Sequence, residues 1–342
     1  MAKNSNIEWT HHTFNPWRGC TKVSEGCKHC YAMTLSERYK GRHGIWGPKG
    51  TRVVASDSMW REPLKWNRDA ETLGERQRVF CCSLADVFED WQGPMSSGLK
   101  GSEGEPILKS RNPFGPQLTM ADCRDRLWQL ISETPMLDWL LLTKRPENIM
   151  RMVPEPWREG FPPNVWPMTS AEDQKTANER VPALMRCPAS VIGLSLEPLL
   201  GPIDLRNLTI REGRFIDCLG CDFHDGQGSV IAGPPKGTGP VGWVIVGGES
   251  GPGARPMHPD WARSLRDQCV EAGVPYFFKQ WGSLFPCEDK HRLVQSGHYC
   301  DVSHCWRGPG EGIAYKRIGK HIAGRVLDGR TWDEFPEDSR GQ

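Results

Sequence analysis

Three cysteines near the N-terminus have a spacing that could hold a reactive metal centre. Cys20, Cys27 and Cys30 follow the pattern Cys-x6-Cys-x2-Cys. Three thiolates on one short loop can bind a metal ion or an iron–sulfur cluster and leave one coordination position open for chemistry. Among the neighbouring side chains, only His29 could serve as a fourth ligand. A structural zinc site with four ligands is therefore the alternative interpretation of this loop.

The strand–helix pattern that would position this loop runs through most of the chain. Short apolar segments alternate with helical segments, which is typical of a parallel sheet with crossover helices. The predicted strands are 7–14, 78–82, 139–143, 165–168, 191–196, 243–246 and 275–278. The predicted helices are 31–40, 121–133, 171–185 and 259–272. These six to seven units predict an α/β fold, a partial or complete TIM-like (β/α) barrel, with a doubly wound open sheet as the alternative.

Two segments interrupt the pattern, and the pattern ends before the chain does. Residues 92–118 are rich in Gly, Pro and Ser, and residues 206–241 contain a Cys-x2-Cys pair. We therefore predict a barrel over residues 1–282 with insertions at about these two places. An irregular C-terminal extension, residues 283–342, is expected to pack on the barrel.

Polar residues recur at the predicted carboxyl ends of the strands, where ligands bind in parallel β/α folds. A single charge in such a place is usually a solvated loop or a helix cap, but a succession of them predicts one active-site rim. We expect four charged residues to be catalytic: Lys144, Glu172, Glu197 and Lys279. Eight others are expected to contact a cofactor: Ser83, Asp86, Ser170, Ser195, Gly247, Gly248, Glu249 and Ser250.

The glycines at 247 and 248 have two interpretations. Glycine lets a backbone approach a ligand closely, and it also permits tight turns. The surrounding sequence is neither a Walker loop nor a dinucleotide fingerprint, so a ribose or zwitterion contact is expected rather than a phosphate site. A tight turn between strand and helix is the alternative.

Composition restricts the compartment and the partners. The chain has 342 residues, enough for one large core or two smaller ones, and 13 cysteines. No apolar run resembles a signal peptide or reaches transmembrane length. We therefore expect a cytoplasmic protein without a membrane partner, whose cysteines are thiols and metal ligands. The formal net charge of +1 provides no overall basic field for nucleic acid, although a local basic groove is compatible with it.

A loop of three cysteines after the first strand of a β/α pattern resembles the radical S-adenosylmethionine (radical SAM) enzymes. The resemblance implies that Cys20, Cys27 and Cys30 bind a [4Fe–4S] cluster whose open iron takes the amino and carboxylate groups of S-adenosyl-L-methionine. It also implies an electron donor such as a flavodoxin or ferredoxin. Six residues separate the first two cysteines, which is longer than the commonest spacing in that superfamily.

The chain is also similar, over nearly its whole length, to a phage- and prophage-encoded family of unassigned function. The matching phrases are Glu8-Trp-Thr, Gly19-Cys-Thr-Lys-Val-Ser-x-Gly-Cys-x-x-Cys-Tyr-Ala32, Ser195-x-Glu-Pro-Leu-Leu-Gly-Pro202, Gly247-Gly-Glu-Ser-Gly251, Phe278-Lys-Gln-Trp-Gly282 and Leu327-Asp-Gly-Arg-x-Trp332.

A second set of cysteines could bind another metal ion, either zinc or an auxiliary cluster. Its members are Cys218, Cys221, Cys287, Cys300 and Cys305, with His304 beside the last. The Cys-x2-Cys pair has the spacing of a metal knuckle, but its partners lie far along the chain. Reduced cysteines in an irregular insertion and tail are the alternative.

Three functional hypotheses follow. The leading one is a radical SAM-type enzyme that acts on an unknown substrate, with nucleic-acid modification or repair expected by analogy with other phage genes. The second is a non-enzymatic binding module that zinc stabilises through the same loop. The third is a metal-dependent hydrolase in which Glu197 or Glu172 acts as the base.

Overall fold

The computed structural model describes the chain except for residues 1, 4, 40–43, 94, 101–105, 109–117, 212, 226–228, 233–238, 288–305, 308–312 and 337–342. The chain divides into two compact units, residues 1–167 and 168–342, which are described in turn. In the described part of the chain, we find no helix with the length and apolar character needed to cross a membrane.

A sheet with seven parallel strands confirms the predicted α/β fold class. Its strands are β1 (His12–Thr13), β2 (Gln77–Cys81), β3 (Leu137–Thr143), β4 (Val165–Ser170), β5 (Gly193–Leu196), β6 (Trp243–Gly247) and β7 (Tyr276–Gln280). Their order in the sheet follows their order in the chain, and the short strand Ala2–Lys3 pairs antiparallel with β1. A doubly wound sheet would reverse its strand order at a switch point. The sequential order is that of a partial (β/α) barrel.

The first strand is much shorter than the predicted segment 7–14. The chain turns at its beginning, where the Thr10 amide donates to the Ile7 carbonyl at 3.1 Å. The Thr10 hydroxyl donates to the carbonyls of His12 and Arg78, both at 2.9 Å. A threonine side chain that bonds to nearby backbone groups competes with strand pairing, which restricts β1 to two residues.

Four helices lie in the described residues of the first unit: α1 (Tyr31–Arg38), α2 (Asp57–Leu73), α3 (Met120–Ser132) and α4 (Ile149–Met152). Helix α2 was not predicted, and Pro63 lies in its interior, where proline normally ends a helix. Its boundaries nevertheless carry the usual signals. The Ser56 hydroxyl caps the first turn, and Gly74 follows the last residue in a left-handed conformation (φ 68°). Burial of Trp60 and Trp66 on one face supports the helix despite the proline.

Shorter elements complete the first unit. Four strands, Trp17–Arg18, Arg52–Val54, Met95–Lys100 and Pro106–Leu108, form a second sheet in that order. The part of this unit that the structure describes also has 3-10 turns at Glu25–Cys27, Pro146–Asn148 and Glu155–Arg158. The last two strands fall in the segment 92–118, where the sequence predicts an insertion.

The second unit contains helices α5 (Gln174–Leu184), α6 (Pro259–Ala272) and α7 (Lys320–Ala323). The insertion at 206–241 contains a four-stranded antiparallel sheet made of Leu208–Arg211, Arg214–Asp217, Asp222–Asp225 and Val230–Ala232. After residue 283 the β/α alternation ends. Five short strands follow in the described part of this segment: Leu284–Cys287, Trp306–Arg307, Ala314–Arg317, Val326–Leu327 and Arg330–Thr331.

The end of the described chain covers the last strand of the parallel sheet. The Phe278 amide donates to the Trp332 carbonyl at 2.9 Å, and the Glu334 amide donates to the Tyr276 carbonyl at 3.3 Å. The open edge of β7 is therefore paired, which removes a surface that would otherwise recruit another strand. A hairpin precedes this segment, and its turn residues Asp328 (φ 51°) and Gly329 (φ 85°) are left-handed.

Asp328 also ties the hairpin to helix α6. Its carboxylate accepts hydrogen bonds from Arg263, with distances of 2.9 to 3.1 Å, and from Arg266 at 2.5 Å. Hydrogen bonding to Arg263 and Arg266 lowers the pKa of Asp328 to about 2, although partial burial acts in the opposite direction.

We expect Asp328→Asn to lower the midpoint of thermal unfolding at neutral pH and to lose this effect in acid. The folded-state pKa of about 2 lies below the value of about 3.9 in an unfolded chain. Ionised Asp328 therefore stabilises the fold above the unfolded value, and this contribution is lost as the pH falls from about 4 to about 2. Asp260 and Asp267 also pair with these arginines, and both are present in wild type and in the variant. A difference in midpoint that stays constant from about pH 7 to about pH 2 would contradict the assignment.

Candidate functional site

The three N-terminal cysteines lie on one loop of the first unit, between β1 and α1. Cys27 ends the 3-10 turn Glu25–Cys27, and Cys30 is the residue immediately before helix α1. All three thiols are free and half-buried. Burial raises the pKa of Cys30, and the nearby charge of a Cys27 thiolate raises it further.

Thr21, the residue after Cys20, is held by three buried charged side chains. Arg52 Nη2 donates to the Thr21 hydroxyl at 2.9 Å, and Arg145 Nη2 donates to its carbonyl at 2.7 Å. The Thr21 amide donates to Glu89 Oε1 at 2.9 Å. Its donor and acceptor groups are therefore engaged on three sides, which fixes the backbone at this point of the loop.

Arg52 and Glu89 form the centre of this anchor. Two hydrogen bonds of 2.7 Å join the guanidinium to the carboxylate, and the two side chains are 0% and 5% exposed. The guanidinium also lies over the ring of Trp91, 4.0 Å from its centroid. A buried bidentate pair of this kind holds both partners in a single geometry.

The loop is also fixed on either side of Cys20 by backbone hydrogen bonds. The Gly19 amide donates to the Leu84 carbonyl, and the Gly47 amide donates to the Cys20 carbonyl, both at 3.0 Å. Gly19 has a φ of 102°, and a side chain there would place its Cβ 2.5 Å from the Thr51 carbonyl oxygen. Glycine is therefore required at this position.

Asp86 and Arg145 connect the ends of β2 and β3 to the cysteine loop. Arg145 Nη1 lies 2.8 Å from Asp86 Oδ2 and 3.6 Å from the Cys20 sulfur. Asp86 also accepts from the Thr143 hydroxyl at 2.7 Å and from the Lys144 amide at 3.1 Å. Asp86, predicted to contact a cofactor, is placed where it orients the residues after β3.

Ser83, also predicted to contact a cofactor, participates in docking the same loop. Asn15 Nδ2 donates to the Ser83 hydroxyl at 2.9 Å, and the Leu84 amide donates to Asn15 Oδ1 at 2.7 Å. The Tyr31 hydroxyl donates to the Ser83 carbonyl at 2.6 Å. These contacts link both ends of the cysteine loop to the residues that follow β2.

The electrostatic environment differs among the three thiols. Burial raises the pKa of Cys20 to about 12, as do the carboxylates of Asp86 and Glu89, whereas Arg145 lowers it. Burial also raises the pKa of Cys30, while the amides at the start of α1 and the ammonium group of Lys144 lower it. Lys144 and Arg145 are adjacent in the chain, so the end of β3 supplies a cation to each of these two cysteines.

These features fit an iron–sulfur cluster. In the described residues, no three His, Cys, Asp or Glu side chains are close enough together to hold a single metal ion. A [4Fe–4S] cluster makes a different demand, because each thiolate binds its own iron atom. The segment has three free, half-buried thiols, with Arg145 beside Cys20 and Lys144 acting on Cys30, although the carboxylates of Asp86 and Glu89 also act on Cys20.

In the second unit, the strand-end residues Glu197 and Lys279 form an ion pair. Lys279 Nζ donates to both carboxylate oxygens of Glu197, at 2.8 and 2.7 Å, and Gln280 Nε2 donates to Oε1 at 3.2 Å. The two side chains are 20% and 17% exposed. The pair lies at the carboxyl ends of β5 and β7 and is partly exposed.

The other carboxylates predicted for this unit are buried and paired with arginines. Glu172 is 1% exposed and lies 3.1 Å from Arg180, which also donates to the Ser170 carbonyl at 2.8 Å. Glu249 is 5% exposed and receives hydrogen bonds of 2.9 and 2.7 Å from Arg255. Ser170 and Ser195 are buried residues of β4 and β5. Ser250 accepts a hydrogen bond from Gln280 at 3.0 Å.

The two glycines at the end of β6 are surrounded by protein atoms. A Cβ at Gly247 would lie 3.3 Å from the Glu197 carboxylate. A Cβ at Gly248 would lie 2.1 Å from the Trp281 carbonyl oxygen, because the Gly248 amide donates to the Gln280 carbonyl at 2.9 Å. This close approach of two backbones gives Gly248 a packing role.

We expect Gly248→Ala to destabilise the protein by about 1–3 kcal/mol, the cost of forcing an extra methyl group into a packed site. Gly160→Ala is the matched control, because nothing lies within 4 Å of a Cβ at Gly160. Its effect should stay within about 0.5 kcal/mol. Urea unfolding measures both, and equal stability of the two variants would contradict the packing role.

The described members of the second cysteine set are buried. Cys218 and Cys221 flank the turn between Arg214–Asp217 and Asp222–Asp225, and burial raises the pKa of Cys218 well above its ordinary value. Cys287 is buried at the end of Leu284–Cys287. Cys300, His304 and Cys305 lie outside the described residues. A second metal site therefore stays a prediction.

Several residues that anchor the cysteine loop were not predicted from the sequence. They are Asn15, Thr21, Arg52 and Glu89. The one available signal is Arg52, a charged residue that begins the short strand Arg52–Val54 and directly precedes two valines. Its partner lies 37 positions later, and local patterns do not reveal such a pairing.

No curated protein and no solved structure matches the chain. A protein-family model matches residues 4–92 and 114–336, and its description is "Protein of unknown function (DUF5131)". The matched ranges contain the cysteine loop, its anchor and the strand-end ion pair of the second unit. Because these ranges cover well over half of the 342 residues, the chain belongs to the DUF5131 family.

Proposed function

We propose that the protein is a radical SAM-type enzyme whose Cys20, Cys27 and Cys30 hold a [4Fe–4S] cluster. The observation that carries this proposal is the anchored loop, in which a buried ion pair fixes the backbone next to Cys20. When bound, the cluster would pass one electron from a protein donor to S-adenosyl-L-methionine, which splits into methionine and a 5′-deoxyadenosyl radical.

The chain's own residues have distinct parts in this proposal. Arg145 and Lys144 place positive charge beside Cys20 and Cys30, which offsets the negative charge that the thiolates bring. In the second unit, Glu197 and Lys279 are the residues that we propose for proton transfer with the substrate. They stay partly exposed, whereas Glu172 is buried against an arginine.

Anaerobic reconstitution with iron and sulfide tests the proposal. We expect a brown protein with about four irons per chain, as a single [4Fe–4S] cluster requires. Reduction in the presence of S-adenosyl-L-methionine should then release 5′-deoxyadenosine and methionine, measured by chromatography. Nucleic acid is the first trial substrate, by analogy alone.

Two outcomes would contradict the proposal. A colourless protein that holds one zinc ion per chain would favour the zinc-stabilised binding module. Hydrolytic turnover in air without a reductant would favour the metal-dependent hydrolase.

A further inference from the structure

We infer that Arg145 is a positioning residue for the metal centre: it holds Cys20 in place and sets the reduction potential of the cluster that Cys20 binds. The inference rests on the proposed function, and it goes beyond that proposal by assigning a role to a side chain outside the ligand set. The guanidinium contacts four groups: the Cys20 sulfur, the Thr21 carbonyl and the carboxylates of Asp86 and Glu89.

These contacts connect the end of β3 to Cys20, the residue that would bind the cluster. Nη1 lies 3.6 Å from the Cys20 sulfur, within hydrogen-bonding range of sulfur, and 2.8 Å from Asp86 Oδ2. Nη2 donates to the Thr21 carbonyl at 2.7 Å. The planar guanidinium therefore holds the ligand atom, the adjacent backbone and a fixed carboxylate at the same time.

The neighbouring carboxylates are well supplied with other hydrogen-bond donors. Asp86 accepts from the Thr143 hydroxyl and from the amides of Lys144 and Phe88, at 2.7, 3.1 and 3.0 Å. Glu89 has its own bidentate partner in Arg52. Arg145 is also an ion-pair partner of both carboxylates, 2.8 Å from Asp86 Oδ2 and 3.6 Å from Glu89 Oε1, and the nitrogen that pairs with Asp86 is the one that contacts the sulfur.

A hydrogen bond to a ligand sulfur has two physical effects. It withdraws electron density from the sulfur, which stabilises the reduced cluster and raises its reduction potential. It also keeps the ligand in its binding orientation, and loss of such a supporting residue typically weakens metal binding about 10–100-fold. The side chain of Arg145 is 10% exposed, so solvent weakens this interaction little.

The test compares wild type, Arg145→Met and Arg145→Lys after anaerobic reconstitution. We expect both variants to shift the potential to more negative values in an EPR-monitored redox titration. Iron release to a chelator should become about 10–100-fold faster in Arg145→Met. The lysine variant keeps the positive charge beside Asp86, so it provides a folded protein even where the methionine variant unfolds.

Arg180→Met is the matched control. Arg180 is 7% exposed and pairs with buried Glu172, but it belongs to the other unit and contacts no cysteine in the described structure. Its loss should lower thermal stability and leave the potential and iron release unchanged. Folded Arg145 variants with a wild-type potential and wild-type iron release would overturn the inference alone. A wild-type protein that binds no cluster would overturn both the inference and the proposed function.

Discussion

Replacement of Cys27 by alanine is expected to abolish cluster binding and to leave the chain folded. The Cys27 sulfur is half-buried and contacts the Ser24 hydroxyl at 3.9 Å, so its removal disturbs little packing. The loop is anchored at Thr21 through Arg52 and Glu89, and none of these contacts involves Cys27. Iron after reconstitution should fall from about four per chain to near zero. Metal analysis and circular dichroism measure the two effects.

Cys123→Ala provides the control for this experiment. Cys123 is a buried residue of helix α3, 2% exposed, and it should keep the full iron content when replaced. The zinc-stabilised module makes the opposite prediction for Cys27→Ala, because loss of a structural zinc ligand unfolds the protein. An unfolded Cys27→Ala variant beside a folded Cys123→Ala variant would therefore count against the enzyme.

Glu89→Gln is expected to lower the free energy of unfolding by about 3–5 kcal/mol, the usual cost of leaving one buried charge without its partner. The Arg52 side chain is fully buried and pairs with Glu89 at 2.7 Å. Glutamine keeps the shape of the side chain but removes the negative charge. The variant also weakens the hold on Thr21, so we expect it to lose iron faster than wild type after reconstitution.

Urea unfolding of the protein without iron measures the loss of stability. Arg151→Gln is the matched control, because Arg151 and Asp90 form an exposed pair, with side chains 57% and 43% exposed. Exposed pairs contribute between zero and about 1 kcal/mol, so the control should resemble wild type. Equal effects of Glu89→Gln and Arg151→Gln would show that the buried pair is not an anchor.

The parallel strands were predicted from the sequence because strands buried on both faces are continuously apolar. The apolar segment ending at Thr143 became β3, and the segment beginning at Trp243 became β6. Helix α6 was predicted with its bounds, since Pro259 begins it and Gly273 ends it in a left-handed conformation. Helix α2 was missed, and burial of Trp60 and Trp66 supports it despite the interior Pro63.

Part of the candidate site was likewise predictable from the sequence, and part was not. The cysteine loop is recognisable because its three residues lie within 11 positions of one another. Its anchor is not, since Glu89 lies 37 positions from Arg52 and Arg145 lies 125 positions from Cys20. Asp86 and Glu172 follow strands as predicted, but the sequence did not reveal their partners. Asp86 pairs with Arg145 and Glu172 with Arg180, whereas Glu197 pairs with Lys279.

The sequence alone determines the features that are local in the chain. These are the alternation of strands and helices and the Cys-x6-Cys-x2-Cys loop, which residue types and spacing reveal directly. The tertiary structure was needed to determine which charged side chains are buried against arginines and which are partly exposed. Glu172 is buried against Arg180, whereas Glu197 is partly exposed. The physical reason is that burial and long-range pairing set the energy of a charged group, and neither is encoded in its immediate neighbours.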